Sequence, residues 1–176
     1  DGQRLHGLNA AGPAPMAWDR AYFESKYGAA ATSPPLRGID SVTVPGAIGG
    51  WVALSQRFGR LSLEQVLEPA AEIAERGYGV PVIVQQKWSA AAAELNGQPG
   101  FRQAFMPDGR VPVVGELFCI PRAARALRLI GQTGGRALYE GEIAQAIERF
   151  VAAHGGALRQ SDMAAYQPEW VEPLAM

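Results

Sequence analysis

Ser41-Val42-Thr43-Val44-Pro45-Gly46-Ala47-Ile48-Gly49-Gly50-Trp51 decides how this chain is read. Val42 and Val44 alternate with polar neighbours, the pattern of a short strand. Pro45 suits the first turn of a helix, where its missing N–H costs nothing. From Ala47 to Phe58 the apolar residues Ile48, Trp51, Val52, Leu54 and Phe58 recur at roughly helical spacing. Gly46, Gly49 and Gly50 stand on the first turns, where a missing Cβ admits another backbone or a ligand. On physical grounds alone, close helix packing is the preferred reading of these glycines.

On either side the chain reads mainly as helix. The residues through Asn9 suit a strand with Leu5 and Leu8 buried, and Ala10 to Pro15 a Gly/Pro turn. Trp18 to Tyr27 reads as a short helix ended by Gly28, and 29–40 as loop. Ser62 and Gln65 have capping-box spacing for a helix that Pro69 should kink, with Ala70, Ile73 and Ala74 buried and Gly77 closing it. Pro81 opens another helix, with Val84, Trp88, Ala91 and Leu95 on one face. Residues 98–121 read mostly as loop. Pro121 to Ile130 places Ala124, Leu127 and Ile130 inward and Arg122, Arg125 and Arg128 outward. Ala137 to His154 reads as one long helix with Ile143, Ile147, Phe150 and Val151 buried. Ser161 to Tyr166 adds a helical turn, and the last residues read as a strand beginning. About six helices against two or three short strands predict a mainly α chain, because so few strands make no self-sufficient sheet.

The 176 residues fit one domain, 1–176. The formal net charge of -1 gives no electrostatic footprint for nucleic acid or a lipid surface. No apolar run approaches the roughly 20 residues that span a bilayer. Cys119 is the one cysteine, so no internal disulfide forms; beside Phe118 and Ile120 it reads as a small buried hydrophobe. His6 and His154 lack a partner at metal-ligand spacing, so no metal or cofactor is expected. His154 suits a helix C-terminus. Asp108 and Asp162 read as turn and helix-start residues. Asp1 is not a natural start, and the expectation is a fragment cut at both ends.

Taken in order, several phrases resemble one family. They are Gly7-Leu8-Asn9-Ala10, the stretch from Ser41 to Trp51, Phe58-Gly59, Leu67-Glu68-Pro69-Ala70, Glu75-Arg76-Gly77-Tyr78 and Phe105-Met106-Pro107-Asp108-Gly109. Further on stand Gly115-Glu116, the run from Ala137 to Ala144, Gly155-Gly156 and the run from Ser161 to Tyr166. Together they resemble the large, N-terminal half of a gamma-glutamyltranspeptidase-type enzyme over nearly the whole chain. The resemblance implies the helical lobe of an αββα sandwich of the N-terminal nucleophile hydrolase class.

It also implies chemistry: acyl transfer from an amide by a Thr at a newly cleaved N-terminus, whose own α-amine serves as base, with backbone N–H groups on the oxyanion. Thr32, Thr43 and Thr133 do not stand in the family's Thr-Thr-His or Thr-Thr-Tyr context. The resemblance therefore places the nucleophile beyond Met176, on a small subunit that would be this chain's partner, and assigns no catalytic residue here. The fragment alone is expected to be inactive. The family's large half holds a substrate α-carboxylate with the Arg of an Arg-Glu-Thr-Ala-Pro phrase. Aligned on Ala14-Pro15, that position is Ala11. The branch with Asn-Ala-Ser-Gly-Arg-Ala-Pro places its Arg where Pro13 stands. Both departures favour an acylase or small-amide amidohydrolase over gamma-glutamyl specificity. Asn9 and Gly12 are the candidate substrate-binding residues, with turn geometry as the competing account of both. A non-catalytic helical interaction module is the reading from another class.

Overall fold

The computed structural model describes residues 4–30 and 33–174; Thr32 and the chain's last two residues, each part of a reading above, lie outside them. The order is β1 (Gly7–Asn9), α1 (Arg20–Tyr27), α2 (Ala47–Phe58), α3 (Leu63–Arg76), β2 (Tyr78–Gly79), α4 (Val82–Leu95), α5 (Phe101–Phe105), β3 (Leu117–Phe118), α6 (Pro121–Thr133), α7 (Arg136–Tyr139), α8 (Glu142–Ala153), α9 (Gln160–Ala164) and β4 (Glu169–Val171). The mainly α expectation holds. Two antiparallel strand pairs are present among the described residues, β1 with β4 and β2 with β3. No helix among them is long and apolar enough to cross a membrane.

Two compact units are distinguished: one runs through Leu63 and resumes at Gln132, the other is Glu64–Gly131. In the first, Val44, Ala144, Val151, Leu158, Met163 and Tyr166 form the buried cluster, with Ile39, Tyr139 and Ile147 packed against it. β1 and β4 pair in register Leu8 to Trp170. Leu5 is 75% exposed, not buried, because it precedes the paired residues. Val42 is extended, but the segment Val42 to Val44 joins neither sheet. Its alternation is as read, Val44 buried and Val42 exposed, and its backbone is held instead by Val44 N–H donating to Pro13 O at 3.0 Å.

Helix α2 starts and stops where the sequence says, yet its buried face is not the apolar stripe. Gly49 and Gly50 are buried, while Trp51, Leu54 and Phe58 are each nearly half exposed. Close backbone approach packs the start of this helix, while Ile48 and Val52 stay half-buried with their methyl groups toward Gly135. The long helix expected from 137 to 154 is two, α7 and α8, broken at Glu140-Gly141. A Cβ on Gly141 would lie 2.9 Å from Ala137 Cα, so the break folds the chain tightly back on itself.

In the second unit Leu67, Ala71, Val80, Ala92, Phe118, Ala124 and Ile130 are buried. α3 runs through Pro69 as one assigned helix and buries Leu67 and Ala71, a different face from the Ala70 and Ile73 expected. Its closure is as read: Gly77 takes φ 87°, a conformation open to glycine at little cost, and its N–H donates to Ile73 O at 2.8 Å. The stretch 98–121 holds α5 and β3, both too short to show a period. Trp88 packs edge-on against Phe118 with centroids 4.6 Å apart. Arg128 does not face solvent freely: it grips Glu68 through two nitrogens at 2.9 and 3.0 Å and reaches Glu75 at 2.8 Å. That partner holds the Glu75 carboxyl below its usual range. Cys119 is half-buried, with its sulfur against Gly77.

Candidate functional site

The turn between β1 and α1 is fastened from several sides. Asn9 is exposed, and its Oδ1 accepts from Ala11 N–H at 3.0 Å, a side chain closing a turn on its own backbone. Ala11 presents its methyl group to solvent. Gly12 lies flat on the extended segment before α2: a Cβ there would sit 1.6 Å from Val44 O and 2.6 Å from Val44 C. Pro15 is fully buried. Just past it, Met16 N–H donates to Asp162 Oδ1 at 3.0 Å, while Asp162 Oδ2 accepts from Arg159 N–H at 2.8 Å. Asp162 is therefore the helix-start residue its position suggested, and it also ties α9 to this turn.

The segment under the turn is fixed by two tyrosines. Gly46 caps α2 without a side chain, so the first N–H groups of the helix lack a local acceptor. Tyr139 Oη fills that place, accepting from Gly49 N–H at 2.7 Å and donating to Pro45 O at 2.8 Å. Tyr166 Oη donates to Gly46 O at 3.1 Å. The two rings lie 5.4 Å apart. Burial pushes both phenols above their ordinary pKa, which keeps the hydroxyls protonated as donors. Beside them opens a cleft of about 210 Å³, lined among others by Gly49, Gln56, Arg136, Tyr139, Glu140 and Tyr166.

A second polar cluster went unseen in the sequence. Asp40 is fully buried. Its carboxylate accepts from Tyr22 Oη at 2.8 Å, Tyr27 Oη at 2.7 Å and Lys26 Nζ. Burial alone would raise its pKa, but the hydrogen bonds from Lys26, Tyr27 and Tyr22 outweigh it and hold the group below the usual carboxylate range. Lys26 also donates to Gly155 O at 2.6 Å. All three donors come from α1, so Asp40 fastens that helix.

The remaining candidates are structural. His6 meets Arg57 Nη2 through Nδ1 at 3.1 Å, and His154 caps α8, its Nδ1 donating to Phe150 O at 2.7 Å. Arg4 precedes β1 and pairs with Glu172. Thr133 ends α6 and accepts from Ala137 N–H at 3.1 Å. Among the described residues no group of three or more His, Cys, Asp and Glu is placed to hold a metal.

A family model described as gamma-glutamyltranspeptidase matches residues 1–176. Among curated relatives, the glutathione hydrolase-like YwrD proenzyme of Bacillus subtilis (strain 168) is 37% identical over 142 residues, 80% of this chain and 27% of the relative. The acylase ACY 1 proenzyme of Pseudomonas sp. (strain V22) is 36% identical over 137 residues, 78% of this chain and 25% of the relative. This chain thus spans about a quarter of the length of these relatives. Among solved structures, the cephalosporin acylase from Bacillus halodurans superposes with TM-score 0.93 at 37% identity, covering 98% of this chain and 33% of that one. The gamma-glutamyltranspeptidase from Pseudomonas nitroreducens, complexed with L-DON, superposes with TM-score 0.85 at 30% identity, covering 96% and 49%.

Proposed function

Because this chain belongs to the gamma-glutamyltranspeptidase family, we propose that the longer polypeptide carrying it, the parent protein, is an autocleaving amide hydrolase or acyltransferase. Its nucleophile is the Thr that opens a small subunit encoded beyond residue 176. The Thr hydroxyl attacks the amide carbonyl while its own α-amine takes the proton. Backbone N–H groups hold the oxyanion. The amine leaves with that proton, and water or a second amine then takes the acyl group. The present residues form one domain of the large subunit: they supply the helical lobe and hold the Asn9-to-Pro15 turn against the pocket, with Asn9 and Gly12 lining it.

The observation that carries the reading is the fit of this whole chain onto an acylase of known structure, together with what stands in the turn. Ala11 occupies the place of the Arg that the family uses to clamp an α-carboxylate. A methyl group makes no bidentate pair. The preferred substrate is therefore an amide whose acyl group carries no α-carboxylate, a reading that favours acylase-type over glutathione-type chemistry.

Two assays test this. The parent protein is expected to turn over acyl anilides lacking the α-amino acid group faster than gamma-glutamyl anilides; the reverse order would overturn the assignment. Ala11 is exposed, so Ala11→Arg is expected to fold normally and to lower KM for gamma-glutamyl substrates by roughly tenfold, the worth of a charge-assisted pair. An unchanged KM would mean that this turn does not line the pocket.

A further inference from the structure

We propose that Tyr139 is a positioning residue for the substrate pocket, acting on the Asn9-to-Pro15 turn through the start of α2. The proposal rests on the reading above, in which that turn lines the acyl site.

The contacts form an unbroken path. Tyr139 Oη bridges Gly49 N–H and Pro45 O from 90 or more residues away, so one hydroxyl fixes both sides of the chain's entry into α2. Removing it leaves a helix N–H and a carbonyl without their partner, and Gly46 has no side chain to substitute. The next link is contact rather than hydrogen bonding. A Cβ on Gly46 would meet Ala10 O at 2.1 Å and Gly12 N at 2.8 Å, and one on Gly50 would meet Ala10 Cβ at 2.7 Å. With Val44 N–H bonded to Pro13 O, the turn and the segment 44–50 lie backbone on backbone. Close-packed groups transmit displacement rather than absorb it. Tyr139 touches no residue between Asn9 and Pro15 through its hydroxyl, so its effect on substrate is indirect. Tyr166 plays a lesser part, because Gly46 O keeps a second donor, Gly50 N–H at 3.2 Å.

The geometry also explains why glycine stands at position 49. A Cβ there would lie 2.6 Å from Tyr166 Cε1 and 3.2 Å from Tyr139 Oη, displacing the rings that hold the turn.

The test is Tyr139→Phe in the parent protein, which keeps the ring and deletes the bridge. KM for the acyl amide is expected to rise roughly fivefold, with kcat within about twofold. A residue that merely supports the fold behaves differently: it lowers the active fraction, so the apparent kcat falls at constant KM. Tyr27→Phe, in the Asp40 cluster, is the comparison and is expected to leave KM unchanged. Hydrogen exchange supplies a readout independent of turnover: the amides of Ala11 and Val44 are expected to exchange faster in Tyr139→Phe and not in Tyr27→Phe. An unchanged KM, or unchanged exchange at those two amides, overturns the proposal. Absence of any amide turnover by the wild-type parent overturns the functional reading instead, and the exchange arm alone then decides whether Tyr139 governs the turn.

Discussion

Gly12→Ala is expected to destabilise the parent protein by about 3 kcal/mol, at the upper end of what an added methyl group costs in a packed interior. The new Cβ would stand 1.6 Å from Val44 O, 2.6 Å from Val44 C and 3.3 Å from Gly46 N. All three atoms are backbone, so no side chain can rotate away. Neither partner is free to retreat. Val44 is 2% exposed in the core of its unit, and Pro45 and Gly46 are held by the two tyrosine hydroxyls. Gly12 does not have a positive φ, so the cost is contact rather than backbone strain. Gly97→Ala is the matched control. Nothing lies within 4 Å of a Cβ there and its φ is ordinary, so its effect is expected within about 0.5 kcal/mol. Chemical denaturation of the two variants compares them; equal midpoints would refute the packing described for the turn.

The Asp40 cluster carries the second large effect. Asp40→Asn is expected to cost about 3 kcal/mol at neutral pH, because it removes a buried charge from its partner and turns an amide NH2 donor toward groups that themselves donate. Lys26→Met leaves the carboxylate with Tyr22 and Tyr27 alone. Its cost is expected to be smaller, about 2 kcal/mol, since the Lys26 side chain is 30% exposed and water replaces part of it. The pH dependence has a definite sign. Asp40 has a depressed pKa in the folded protein, so its contribution is present above the unfolded carboxyl value of about 3.9 and is lost as pH falls through the folded value. Acid unfolding monitored from pH 6 downward is therefore expected to flatten in Asp40→Asn. In Lys26→Met the acid limb is expected to move to higher pH. An acid limb unchanged in Asp40→Asn would show that this carboxylate does not contribute.

What the sequence made legible divides along physical lines. Helix ends governed by local chemistry were readable: Gly28, Gly59 and Gly77 each follow a helix as expected, and the Pro45-Gly46 entry to α2 is in place. Burial was less so. The stripe of Trp51, Leu54 and Phe58 has helical spacing, yet the residues that α2 fully buries are its glycines; periodicity reports which residues share a face and not which face is covered. α5, β2 and β3 span 5, 2 and 2 residues, too short for their pattern to repeat twice. Long-range side-chain bonds were beyond reach. Asp40 lies in what read as loop, and nothing about Tyr22, Lys26 and Tyr27 in sequence announces a shared acceptor. Tyr139 and Tyr166 are a partial exception. Both stand inside the runs, Ala137 to Ala144 and Ser161 to Tyr166, on which the resemblance rests, although only the fold brings their hydroxyls to the start of α2. Asn9 and Gly12 read as candidate substrate-binding residues with turn geometry as the competing account, and the contacts seen for both, Asn9 with Ala11 N–H and Gly12 with Val44, are those of the turn.

Intact-mass measurement with N-terminal sequencing of the purified parent protein bears on all of this at once. Two polypeptides are expected, the smaller beginning with a Thr encoded after residue 176, and replacing that Thr by Ala should abolish both the cut and amide turnover. A single uncut polypeptide that still hydrolyses amides, or a functional cut falling within residues 1–176, would contradict the account.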